Sequence, residues 1–105
     1  GAVAKYDEYI NRYNTSGDVN RAVYRKGHIQ LLYLNDAQGA LVTFESLVKR
    51  YPDSETRAEA YFGIARSYKS LNDTENLKKT LEILYQKFPN EIATEEAEYV
   101  FGGRY

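Results

Sequence analysis

The chain has 105 residues, with 14 Lys plus Arg against 15 Asp plus Glu and a formal net charge of −1. That length suits one domain with a modest core, and the near-balance of charge lacks the basic excess on which nucleic-acid binding relies. No apolar run approaches the roughly 18 residues of a membrane span, and with no cysteine there is no disulfide framework, thiolate metal site or thiol nucleophile.

No basic, apolar leader opens the chain, and Gly1 stands first in place of Met, so the sequence reads as a cut or processed piece of a longer protein. The first predicted element is a helix within residues 1–16 carrying Tyr6, Tyr9, Ile10 and Tyr13. Next, Tyr24, Ile29, Leu31 and Leu34 recur at helical spacing, and Leu41, Phe44, Leu47, Val48 and Tyr51 recur with steps of three and four. The stretches 58–71 and 77–88 repeat the arrangement, and a last helix is expected within 91–105. Between the helices lie Asn35-Asp36, Pro52-Asp53-Ser54, Asn72-Asp73 and Pro89-Asn90. Each pairs a helix stop with an Asx or Ser cap that accepts bonds from orphaned amides. Connections so short lay successive helices antiparallel. The expected fold is all-α, about six helices in antiparallel hairpins stacked as an α-α superhelix, with no strand.

Internal repetition supports that architecture. At an offset of 37 residues Tyr24 lands on Tyr61, Leu34-Asn35-Asp36 on Leu71-Asn72-Asp73, Thr43 on Thr80, Leu47 on Leu84 and Pro52 on Pro89, without a gap. Residues 6–16 fall on 44–54 at an offset of 38, matching Arg12 to Arg50, Tyr13 to Tyr51 and Ser16 to Ser54. The expected organisation is a second helix of a partial repeat (1–16), two whole repeats (17–53 and 54–90) and the first helix of another (91–105).

This pattern resembles the tetratricopeptide repeat. The signature residues are Tyr24, Gly27, His28, Leu31, Ala40, Phe44, Leu47 and Pro52 in one repeat, then Tyr61, Ile64, Ala65, Tyr68, Leu77, Leu81, Leu84 and Pro89 in the next. The family keeps a small residue at its eighth position so that paired helices approach closely. Ala65 and Gly102 meet that need and His28 does not, so the first hairpin is expected to open or rotate. A period of 37 residues in place of about 34 adds nearly a turn to the start of each first helix. The run Tyr51-Pro52-Asp53-Ser54 with Ala58, Ala60 and Tyr61 looks like the longer repeats of bacterial cell-envelope proteins, among them the outer-membrane assembly lipoprotein and the Tol-Pal-associated periplasmic coordinator. A periplasmic or envelope location is what that likeness implies.

The resemblance also implies a concave wall of first helices that binds protein. The positions it assigns to that wall include Arg25, Ile29, Leu32, Tyr33, Phe62, Arg66, Lys69 and Tyr99, together with Glu59 and Glu96. Aromatic and arginine side chains commonly anchor interfaces, and the expected ligand is a peptide with an acidic and apolar face. The carboxylate clamp of chaperone-binding repeats needs Lys and Asn where this chain has Arg25 and Ile29, then Phe62 and Arg66, so that clamp is absent.

Other chemistry finds no constellation. His28 is the one histidine and lacks a partner for a metal pair or catalytic dyad, so a packed role is expected. Glu91, Glu95, Glu96 and Glu98 read as a solvated first turn favoured by the helix dipole. No enzyme activity, cofactor, nucleic acid or membrane insertion is expected. Self-association is the alternative function: Tyr99, Phe101 and Tyr105, like Tyr6, Tyr9 and Ile10, would lie on end helices without a hairpin partner, and uncovered apolar flanks associate.

Overall fold

A computed structural model of the chain describes residues 3–5, 19–51 and 53–102, of Ser54 the backbone alone. Five helices follow one another: α1 (Val19–Leu32), α2 (Ala37–Arg50), α3 (Ser54–Ser70), α4 (Thr74–Lys87) and α5 (Ile92–Phe101). Residues 3–5 are helical too, and no strand occurs among the described residues. The rest of the helix expected within 1–16 lies outside them. From α1 to α4 each helix packs most heavily on its neighbours in sequence, and α1 touches α3 as α3 touches α5. The all-α stack of hairpins is therefore the fold, with first helices α1, α3 and α5 side by side.

Local chemistry sets the ends of these helices. Asp36 accepts a bond from the amide of Gly39 at 2.9 Å, Asp53 from Thr56 at 3.0 Å and Asp73 from Asn76 at 3.1 Å. Each aspartate thus satisfies an amide that the helix leaves without a partner. The expected cap at Pro89-Asn90 does not form. Glu91 takes the position without a side-chain cap bond, and Thr94 instead donates its hydroxyl to the carbonyl of Phe88 at 2.5 Å, tying the start of α5 to the end of α4. Asn35 and Asn72 hold left-handed φ of 52° and 59°, the conformation Asn tolerates best after Gly. After α3 the amide of Asp73 reaches Tyr68 at 2.9 Å and that of Asn72 reaches Lys69 at 3.1 Å, the paired closure of a Schellman motif. The same Asn-Asp pair therefore ends one helix and starts the next in both hairpins.

Two apolar clusters form the core, and α3 belongs to both. Val19, Val23, Leu31, Ala40, Phe44 and Leu47 meet Ala60 and Ile64 on one side. Ala58 and Phe62 meet Leu84, Phe88, Ala93 and Ala97 on the other. Buried on several faces, α3 carries small residues where neighbours come nearest: Ala58, Ala60 and Ala65 are fully buried. It is also the longest helix, with 17 residues against 14 in α2 and α4.

Phe44 fixes the closest approach. A Cβ built on Gly27 of α1 would stand 2.7 Å from its ring, and one on Gly63 of α3 would also stand 2.7 Å away. The expected opening of the first hairpin at His28 is accordingly corrected: the small residue that admits Phe44 is Gly27, one position earlier. His28 turns its ring toward Tyr24, with centroids 5.7 Å apart. Gly102 is a correction of another kind. It ends α5 at φ 107°, a backbone that favours glycine, so its place in the described residues is that of a helix terminator.

Candidate functional site

The wall shared by α1, α3 and α5 takes its character from residues one or two turns apart on each helix. On α3, Glu55, Glu59, Phe62, Arg66 and Lys69 follow one another at three- and four-residue steps and so form a single stripe. Ala22 and Arg25 of α1 and Glu96 and Tyr99 of α5 repeat that spacing at the offset of 37 residues.

The structure brings Phe62, Arg66 and Tyr99 of the expected set into one region. Phe62 is only 6% exposed: its ring meets Phe101 edge-on at 6.2 Å, and the Arg66 guanidinium lies 5.7 Å from its centroid. It floors the wall, because α5 packs directly on that part of α3. Tyr99 is 93% exposed and, with Ile92, Val100 and the edge of Phe62, borders a shallow apolar depression. Arg25 and Lys69 are exposed, Ile29 is half-buried, and Leu32 is exposed near the end of α1. Tyr33 lies beyond that end, in the turn toward α2, and belongs to the loop.

A deeper feature lies toward the N-terminal ends of α3 and α5. Tyr24, Glu55, Glu59, Phe62, Ile92 and Glu96 line a cleft of about 530 Å³ that all three first helices enclose. Tyr24 and Phe62 supply aromatic surface and Glu55, Glu59 and Glu96 supply charge. Burial pushes the Glu59 carboxyl above its ordinary range, and the charges of Glu55 and Glu96 push it further, against the opposing pull of Arg21. The Tyr24 phenol is raised as well, by burial first and then by Glu59, with Arg66 opposing and Glu96 adding to the rise. At the other end burial lowers His28, and the positive charge of Arg66 lowers it further. The wall is therefore acidic toward the starts of α3 and α5 and basic toward Arg66 and Lys69.

The family resemblance pointed to Glu59 and Glu96 but not to Tyr24, Glu55 or Ile92. Tyr24 occupies a signature core position, and only the half-burial of its ring shows that one side faces the cleft. The recurrence of carboxylates at 55, 59 and 96, one turn and one repeat apart, was the signal available. Among the described residues no group of three or more His, Asp or Glu side chains is placed to hold a metal ion, and no helix is long and apolar enough to cross a membrane.

The comparisons with known proteins agree with this architecture. No curated protein and no solved structure matches the chain. A family model described as tetratricopeptide repeat matches residues 21–54 and again 59–91, one match on each hairpin and together most of the chain. The protein belongs to the tetratricopeptide repeat family.

Proposed function

We propose that the chain is a non-catalytic scaffold that holds a segment of a partner protein against the wall of α1, α3 and α5. Tetratricopeptide repeats generally mediate protein–protein interaction, which supports the class. The observation that carries the site is the wall of the three first helices, with a carboxylate-lined cleft toward one end and the Arg66 charge, felt by His28, toward the other. An apolar peptide with an acidic group suits the end at Arg25, Arg66 and Lys69, where a carboxylate gains charge-assisted bonds and Phe62 adds a ring beneath Arg66. Placement in a bacterial cell envelope rests on the likeness at Tyr51-Pro52-Asp53-Ser54, and fractionation of the organism that makes the protein tests it. Titration of the isotope-labelled chain with acetyl-Asp-Leu-Glu-Phe amide tests the site. The reading expects amide shifts at Arg66 and Lys69; a spectrum unchanged along α1, α3 and α5 overturns it.

Self-association is a second reading, favoured by one observation. Ile92, Tyr99 and Val100 of α5 are 73%, 93% and 57% exposed. Phe101, expected on the same flank, turns inward against Phe62. Tyr6, Tyr9, Ile10 and Tyr105 lie outside the described residues. Sedimentation over a hundredfold concentration range separates the readings: a dimer that Tyr99→Ser abolishes supports this one, and a monomer throughout removes it.

A further inference from the structure

The acidic end of the wall is an open-mouthed cleft, and its lining narrows what can occupy it. The volume of about 530 Å³ falls within the range of side-chain and small-ligand pockets. Its base is aromatic, from Tyr24 and the edge of Phe62, and its rim carries Glu55, Glu59 and Glu96 from two helices. An acidic group entering it would meet four carboxylates, those three and Glu91. A purely apolar group would strip water from Glu59, already half-buried, and give nothing in return. A metal ion needs several oxygens converging on one point, and no such group occurs among the described residues. An organic cation on a long aliphatic stem satisfies both surfaces at once, because the stem covers rings while the head keeps polar company.

We propose that this cleft seats a Lys or Arg side chain of the partner segment, its stem on Tyr24 and Phe62 and its cation between Glu59 and Glu96. The inference rests on the groove reading above and names the partner chemistry at one end of it. Charge complementarity carries it: carboxylates line the cleft, and beyond the effect of burial Glu55 and Glu96 each act on Glu59 more strongly than the opposing Arg21. The distance from Glu59 to Arg66 along α3 is about 10 Å, at 1.5 Å per residue, which an extended peptide covers in about three residues. The partner segment therefore carries its basic residue about three positions from an acidic one.

Three probes differing only at the central side chain test the proposal on the full chain: acetyl-Leu-Lys-Leu amide, its norleucine analogue and its glutamate analogue. The lysine peptide is expected to shift the amides of Glu59, Phe62 and Glu96 and to bind about tenfold more tightly than the norleucine peptide, in line with a cation–carboxylate contact over an aromatic face. The variant Glu59→Gln/Glu96→Gln, with its fold checked by circular dichroism, is expected to lose that preference. Equal affinity for lysine and norleucine peptides, or a preference that survives in the variant, overturns the proposal. Millimolar calcium moving the same amides and displacing the lysine peptide would reassign the cleft to a metal and also overturn it. A glutamate peptide that shifts Arg66 while the lysine peptide shifts nothing ends this inference and leaves the groove reading standing. No shift on α1, α3 or α5 with any probe ends both.

Discussion

The ring of Phe44 fills the space in which a side chain at Gly63 would have to stand, with ring carbons 2.7 Å from an ideal Cβ. Phe44 cannot retreat, because Gly27 holds it equally closely from α1. Gly63→Ala is therefore expected to destabilise the protein. Overpacking costs of about 1–3 kcal/mol exceed the roughly 1 kcal/mol by which Ala outranks Gly inside a helix. Thermal denaturation should show a fall of about 5 °C or more, and Phe44→Leu should recover part of it in the double variant. At the offset of 37 residues the chain already makes this exchange, with Ile64, Val100 and Leu81 standing where Gly27, Gly63 and Phe44 stand. A single variant more stable than the parent contradicts the packing account.

Asn72 closes α3 from a left-handed backbone at φ 59°. A residue with a Cβ and no local hydrogen-bonding group pays about 1 kcal/mol or more there, and Gly pays nothing. Asn72→Ala is expected to lower stability by about that amount and Asn72→Gly to match or exceed the parent, measured by urea denaturation at constant slope. The order reversed would show that the turn does not depend on the left-handed residue.

Much of this was legible in the chain. The three- and four-residue spacing of Leu41, Phe44, Leu47 and Val48 marked a helix because one face of that helix is buried. Asn35-Asp36 and Asn72-Asp73 marked the loops because a left-handed residue followed by a capping aspartate is local chemistry. Contacts between helices were less visible. Gly27 is small for the sake of Phe44, seventeen residues on, and a pairwise fit of that kind leaves no periodic trace. The cleft escaped for a related reason: Tyr24, Glu59 and Glu96 belong to three helices, and only the stack brings them to one place.

Glu59 should be a site where function and stability oppose one another. Its carboxyl is raised by burial and by Glu55 and Glu96, so the folded state disfavours its ionised form. For an acid with a raised folded pKa, stability rises as pH falls through that value and is reduced above it. Glu59→Gln is expected to stabilise the protein at pH 7 by about 0.5 kcal/mol, a small figure because solvent screens the site. The gain should vanish near pH 4, where the parent carboxyl is protonated. A loss of stability at neutral pH would contradict the electrostatic account of the cleft.

The capping aspartates carry the opposite sign. Hydrogen bonds from the side chain and amide of Thr56 lower Asp53, and those from Asn76 lower Asp73. Both contribute stability that is present above the ordinary value of 3.8 and is lost as pH falls through the lower folded values. Asp53→Asn/Asp73→Asn should therefore lose less melting temperature than the parent between about pH 5 and pH 2.5. Parallel curves would remove the caps from the account.

His28 reports the basic end of the wall. Its imidazole is expected to titrate below 6.5, held down by burial and then by Arg66. Arg66→Gln should move the midpoint upward in a proton NMR titration. A midpoint indifferent to that substitution would separate His28 from Arg66 and weaken the charge gradient assigned to the wall.

The central claim is that partner segments seat on α1, α3 and α5. The most direct measurement is amide-shift mapping of the full chain with acetyl-Lys-Leu-Phe-Glu amide, which matches both ends of the wall. The account predicts shifts confined to those three helices, with Glu59 and Glu96 responding to the lysine and Arg66 to the glutamate. Shifts concentrated on α2 and α4, or none at all, would contradict it.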